Sequence, residues 1–181
     1  MLTLIDNSKK AKIIGFFLDN PTTPLHLRSL SRRIKVSPTW ISKKIDGLVK
    51  EGLITVSKNK ETKILTMKAD RENSEFNRLK KSHNLYQIYK SGLIDQIIEN
   101  YQKPEAIILF GSYSRGEDIE KSDIDLAIIT TRKIQNNLDK FEQKLNRKIK
   151  IIELKKDKIE KEFQNTLANG VVLYGYLDII K

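Results

Sequence analysis

Cysteine is absent from all 181 residues. That excludes a disulfide framework, a thiolate metal site and a cysteine nucleophile. No stretch approaches the roughly 18 apolar residues a membrane span needs. The opening Met1-Leu-Thr-Leu-Ile-Asp has neither the basic flank nor the long apolar run of a signal peptide. The expectation is a soluble, cytoplasmic protein with no membrane partner. Internal repeats and low-complexity tracts are missing too, and histidine occurs only twice. His26 has no acidic or histidine neighbour in sequence, and His83 lies near an apolar stripe where a core or interface role outranks ligation.

What the chain does have is positive charge. Its 34 Lys+Arg against 23 Asp+Glu leave +11, and the 39% hydrophobic content is enough to bury a core. The length allows one domain or two small ones. The charge is unevenly spread: residues 1–70 hold 14 basic and 6 acidic side chains, or +8, and the rest of the chain carries only +3. The first segment therefore points to a polyanion partner, although a lysine-rich surface also serves solubility. The polar, aperiodic run Ala69 to Ser74 marks a boundary.

Within the basic segment, Ile13, Ile14, Phe17 and Leu18 have helical spacing, and Asn20-Pro21-Thr-Thr-Pro24 stops that helix. Leu27, Leu30 and Ile34 share one face of a second helix, leaving Arg28, Arg32 and Arg33 off it. Ser37 reads as an N-cap with Pro38 at the first helical position. Ile41, Ile45 and Leu48 then form the core stripe of a third helix, with Thr39, Ser42 and Lys43 off the stripe. Two β-like runs, 53–57 and 63–68, make a hairpin with a basic tip. The lone Trp40 reads as packing between helix and hairpin.

Three short helices followed by a basic hairpin resemble the winged helix-turn-helix DNA-binding domains. The resemblance implies DNA as partner, with Thr39, Ser42 and Lys43 nearest the bases. Arg28, Arg32, Arg33, Lys58, Lys60 and Lys63 would then lie on phosphates. Such domains also serve as protein-interaction modules. A homodimer is plausible because helix-turn-helix proteins commonly bind two half-sites.

From Ser74 to Tyr101 the periodicity predicts one long helix, or two broken near Ser91-Gly92. Beyond it, Ala106 to Phe110 is a short apolar run ending in Gly111-Ser112-Tyr113-Ser114-Arg115-Gly116, a buried strand entering a glycine turn. An acidic stretch, Glu117 to Glu120, is expected to be exposed. In the following strand a period of two puts Asp123 and Asp125 on one face. Two carboxylates within about 7 Å of each other suit a hard divalent cation. The backbone of Gly111 can approach a triphosphate, and Ser112 can hydrogen-bond it.

Gly111-Ser112 followed by Asp123-x-Asp125, with Arg115-Gly116 between, resembles the minimal nucleotidyltransferases of the polymerase-β-like superfamily. The likeness runs over about residues 103–176. It implies transfer of a nucleoside monophosphate from an NTP to an acceptor hydroxyl with Mg²⁺ (or Mn²⁺), releasing pyrophosphate. Gly111 and Ser112 would hold the β- and γ-phosphates, and Asp123 and Asp125 one or two metal ions. Arg115 would either steady the triphosphate or anchor its loop through nearby acids. Active members place a third carboxylate on a later strand; the position aligned with it here is Lys150, and Glu153 qualifies only if the register shifts.

The expected architecture is a two-domain α/β (α+β) protein. A winged helix occupies 1–70, a helical connector 71–102, and a nucleotidyltransferase fold 103–181, with a mixed β-sheet flanked by helices at 134–146 and about 156–168. An enzyme, a nucleotide-binding transcriptional regulator with a degenerate transferase domain, and an antitoxin-like transferase are the three functions in view. The fused first segment weighs against the third.

Overall fold

The structure, a computed structural model, describes residues 8–62 and 64–178. The chain divides into two compact units, Met1–His83 and Asn84–Lys181.

The first unit contains α1 (Lys9–Asp19), a two-residue β1 (Leu25–His26), α2 (Leu27–Ile34), α3 (Pro38–Lys50), β2 (Ile54–Lys58) and β3 (Leu65–Ala69). Side-chain caps set two of its helix starts. Ser8 Oγ accepts from the Ala11 N–H at 3.2 Å, and Ser37 Oγ from the Trp40 N–H at 3.3 Å, each satisfying an otherwise orphan donor. Lys35 ends α2 in the left-handed region. The strands form an antiparallel sheet in the order β1-β3-β2, with Ile54 opposite Ala69 and Val56 opposite Met67. Ile13, Phe17, Leu30, Ile41, Leu48, Met67 and Phe76 close one core. Trp40 is half-buried against that core, with the ammonium groups of Lys9 and Lys44 within 6 Å of its ring centroid. His83 is buried, its Nε2 2.8 Å from Asp19 Oδ1. His26 Nδ1 lies beside the Leu65 carbonyl and the Thr66 hydroxyl.

Helix α4 (Ser74–Ser91) runs across the boundary between the units, and α5 (Leu93–Asn100) follows. The break falls at Gly92, which sits at φ +80°, while Ser91 Oγ accepts the Leu93 N–H. The second unit continues with β4 (Ala106–Phe110), the one-turn helix α6 (Gly111–Arg115), β5 (Ile124–Ile129), α7 (Asp139–Leu145), β6 (Ile149–Leu154), α8 (Lys161–Ala168) and β7 (Val171–Gly175). Its mixed sheet has the order β6-β5-β4-β7; β5 and β6 are parallel and the other pairs antiparallel. Both faces are covered. Leu93, Ile97, Tyr101 and Phe141 pack with Ile107, Leu109, Leu126 and Ile128 on one side. Ile159 and Leu167 pack with Ile108, Phe110, Ala127 and Ile129 on the other. Burial on both faces is why β4 reads as an uninterrupted apolar run.

Three sequence expectations for this unit change. The helix expected over 134–146 begins only at Asp139. The Ile134 N–H instead donates to Glu153 Oε1 at 2.8 Å, and Asn136 Nδ2 donates to Tyr101 Oη at 2.7 Å, so side chains hold that stretch out of a helix. The helix expected from about 156 is a 3₁₀ turn at Lys156–Lys158, then buried Ile159, then α8. The stretch 117–120 is not uniformly exposed, because Asp118 is 1% accessible.

Candidate active site

The antiparallel pairing of β4 with β5 sets Phe110 opposite Asp125 at the end of both strands. Gly111 follows at φ +74°, a conformation L side chains rarely adopt. A Cβ added there would lie 2.6 Å from Asp125 Oδ2, so the absent side chain is what lets the carboxylate rest against the backbone. Ser112 stands in the first turn of α6, and Ser114 Oγ donates to the Gly111 carbonyl at 2.8 Å. Gly116, at φ +76°, ends the helix.

Asp123 precedes β5, where the Ile124 N–H donates to the Lys148 carbonyl at 2.8 Å. In the parallel β5–β6 register Asp125 is level with Lys150, so both side chains leave the sheet on the same face. Lys150 Nζ reaches Asp123 Oδ2 at 2.6 Å. The corner therefore joins Gly111, Asp125, Lys150 and Asp123. Burial pushes the Asp125 carboxyl above its ordinary value, Lys150 pulls it back, and Asp123 adds to the rise. The Lys150 ammonium is held above the usual lysine value, first by its hydrogen bond to Asp123 and then by the charges of both carboxylates.

Glu153 has no place in this corner. It is level with Ile128, on the opposite face from Lys150, and its Oε1 accepts from Tyr101 Oη at 2.6 Å as well as from the Ile134 N–H. Burial and the Glu153 carboxylate raise the Tyr101 phenol well above its usual value, keeping it a donor. Arg115, the last residue of α6, pairs with Glu117, its Nε donating to Glu117 Oε2 at 2.7 Å.

The loop between α6 and β5 carries a feature the sequence hid. Asp118 Oδ1 accepts from Asn84 Nδ2 at 2.7 Å, and its Oδ2 lies 3.7 Å from the buried Arg147 guanidinium. Asn84 Nδ2 also donates to the Tyr113 carbonyl. These groups pin α6 and the following loop to α4 and to the start of β6. Their separation in sequence, from Asn84 to Arg147, leaves no local signal. A cavity of about 410 Å³ opens beside Asp123, lined among others by Glu120, Asp139, Glu142 and Asn146. Of the four corner residues it touches only Asp123, so it neighbours the carboxylates without being the turn at Gly111.

Residues 93–177, just under half of the chain, match the family model for polymerase beta, nucleotidyltransferase. The matched stretch of the second unit is thus similar to nucleotidyltransferase domains. One solved structure, described as a toxin–antitoxin with AMP-PNP, is 24% identical over 51% of this chain and 74% of its own, with a TM-score of 0.38. That likeness is too slight to bear on the fold. No curated protein matches the chain.

A nucleotidyltransferase-type domain implies a divalent metal, and the donor set can be tested against one. Magnesium is commonly held by one or two carboxylates together with the phosphates of its substrate. Asp123 and Asp125 supply two carboxylates of that kind, of which Asp123 is already paired with the Lys150 ammonium. Among the described residues no group of three or more His, Asp or Glu gathers to hold a metal without other ligands.

On the first unit, Thr39, Ser42 and Lys43 are exposed on one face of α3, opposite Ile41, Ile45 and Leu48. Arg28 and Arg32, one helical turn apart on α2, are exposed, and the exposed Arg33 has its guanidinium 5.8 Å from the centre of the Phe16 ring. Lys58 and Lys60 are exposed at the β2–β3 hairpin. Lys63 lies outside the described residues. No helix among the described residues is long and apolar enough to cross a membrane.

Proposed function

We propose that the second unit binds a nucleoside triphosphate at the β4–β5 corner and transfers its nucleoside monophosphate to an acceptor hydroxyl. The first unit, read as a winged helix-turn-helix domain over residues 1–70, docks the protein on DNA. The observation that carries the transferase reading is the close approach of Asp125 to Gly111, with Asp123 beside it, in a stretch that matches the nucleotidyltransferase family model.

The roles follow from the chemistry of each group. The Gly111 backbone, free of a side chain, lets the triphosphate come close, and the Ser112 hydroxyl donates to a phosphate oxygen. Asp123 and Asp125 hold one Mg²⁺ or Mn²⁺, which when bound neutralises charge on the phosphates. The acceptor oxygen bonds to the α-phosphorus as the α–β bridging bond breaks; pyrophosphate leaves and the acceptor proton passes to solvent. Arg115, paired with Glu117, anchors the loop in this reading.

A second reading has one specific observation in its favour. Lys150 stands in contact with Asp123, where a base or metal ligand would activate the acceptor. On this reading the domain binds nucleotide without transferring it, and the protein is a nucleotide-responsive regulator acting through its DNA-docking unit.

The test is incubation with Mg²⁺ and α-labelled NTPs, with and without DNA, beside the Asp123→Asn, Asp125→Asn double variant. Label moved to an acceptor by wild type and not by the variant supports transfer. Label moved equally by both overturns the site. Nucleotide binding without pyrophosphate release favours the regulator.

A further inference from the structure

The charge inventory at the corner leads beyond the transferase reading while resting on it. Asp123, Asp125 and Lys150 together carry a formal net charge of −1, and the ammonium already satisfies one carboxylate. Phosphoryl displacement sites with two metals place the ions roughly 3.5–4 Å apart and bridge them with shared carboxylates. Here a second divalent ion would face an ammonium fixed in register with Asp125, and among the described residues no group of three or more acids or histidines gathers to hold it. Lys150 is also built for the place. Its stem rises from an edge strand of the sheet, its side chain is 66% exposed, and its compact charge sits on Asp123 rather than trailing into solvent.

We infer that Lys150 is a tethered cation that takes the place of one of two divalent metals, so that this nucleotide site loads a single divalent ion per chain. The remaining ion would be held by Asp123 and Asp125 together with the phosphates of the incoming nucleotide. Lys150 remains beside Asp123 and faces the phosphate oxygens as a fixed positive charge. The consequence is a site whose need for divalent metal is half that of a two-metal site, and whose metal affinity without nucleotide is suppressed.

Manganese binding reads this directly, by the loss of the free-ion electron paramagnetic resonance signal. The full chain is titrated as wild type, Lys150→Met and Lys150→Asp, first alone and then with a non-hydrolysable ATP analogue. Removing a unit charge this close to a divalent ion is worth roughly tenfold or more in affinity. Nucleotide-free Lys150→Met should therefore bind Mn²⁺ at least about tenfold more tightly than wild type. With the analogue present, Lys150→Asp should take up two ions per chain and wild type one. Equal affinity of wild type and Lys150→Met, or two ions on wild type, overturns the inference. The exposed position leaves the core untouched, and two variants of different chemistry guard against a folding defect in one. Failure of the analogue to bind any of the three proteins would sink the nucleotide reading instead, and the nucleotide-free comparison would still decide the role of Lys150.

Discussion

Asp125 is a side chain held at some expense to the fold. Burial holds its carboxyl above the ordinary aspartate value, more than Lys150 can offset, and Asp123 works in the same direction as burial. Between the unfolded value and the raised folded one, the native state binds more protons than the unfolded chain. Stability therefore falls as pH rises through that window, and the penalty persists at neutral pH. Asparagine has no charge to desolvate. Asp125→Asn is expected to melt no lower than wild type at about pH 7, with any advantage gone by about pH 3, where aspartate is protonated in both states. Thermal scans at the two pH values check this, and a clear fall in melting temperature at neutral pH would contradict it. In the sequence, the Asp-x-Asp spacing and the glycine before it mark the corner, and the resemblance to minimal nucleotidyltransferases singles out Lys150. The 2.6 Å contact between Lys150 and Asp123 depends on a strand pairing that no local pattern encodes.

At the scale of elements, the segment from α6 to β5 decides whether the corner keeps its shape. Its acidic sequence suggests a solvated loop, yet Asp118 is buried between Asn84 and Arg147. Replacing one member of such a set leaves a buried charge without its partner, which costs roughly 3 kcal/mol or more. Asp118→Asn should lower the urea midpoint accordingly, whereas Glu117→Gln, at an exposed position, should leave it nearly unchanged. Equal midpoints for the two variants would show that the buried set does not stabilise the fold. The same scale explains the shortened α7. Helical periodicity from Ile134 onward competes with Glu153, Tyr101 and Asn136, which capture the backbone and side chains of residues 134–136. Glu153 thus belongs to the packing of a loop, and its carboxylate is committed on the face away from the site.

Across the whole molecule, charge and chemistry are divided. Residues 1–70 hold +8 of the net +11, with Arg28, Arg32, Lys43, Lys58 and Lys60 exposed. If this unit docks on DNA, affinity should fall steeply with salt, because each neutralised phosphate releases counterions. Lys58→Ala with Lys60→Ala should weaken binding on all sequences alike and lower the salt slope by about one per lost phosphate contact. Fluorescence anisotropy over a salt series measures both quantities, and a flat response would remove DNA from the account. The second unit is nearly balanced in charge, and under the proposed function it would meet its anion through two carboxylates, a cation and a backbone without a side chain.

The sequence by itself determined the helices of the first unit, through Ser37-Pro38 and the Ile41, Ile45, Leu48 stripe. It also determined the apolar strand β4, the turn at Gly111-Ser112 and the carboxylate pair. These signals lie within a few residues of one another and follow from backbone geometry and side-chain period. Only the tertiary structure decided that Lys150 pairs with Asp123, that Asp118 is buried, and that Glu153 faces away. Each of those depends on strand order and register, which bring together groups tens of residues apart, and a local pattern carries no record of which neighbour a side chain will meet.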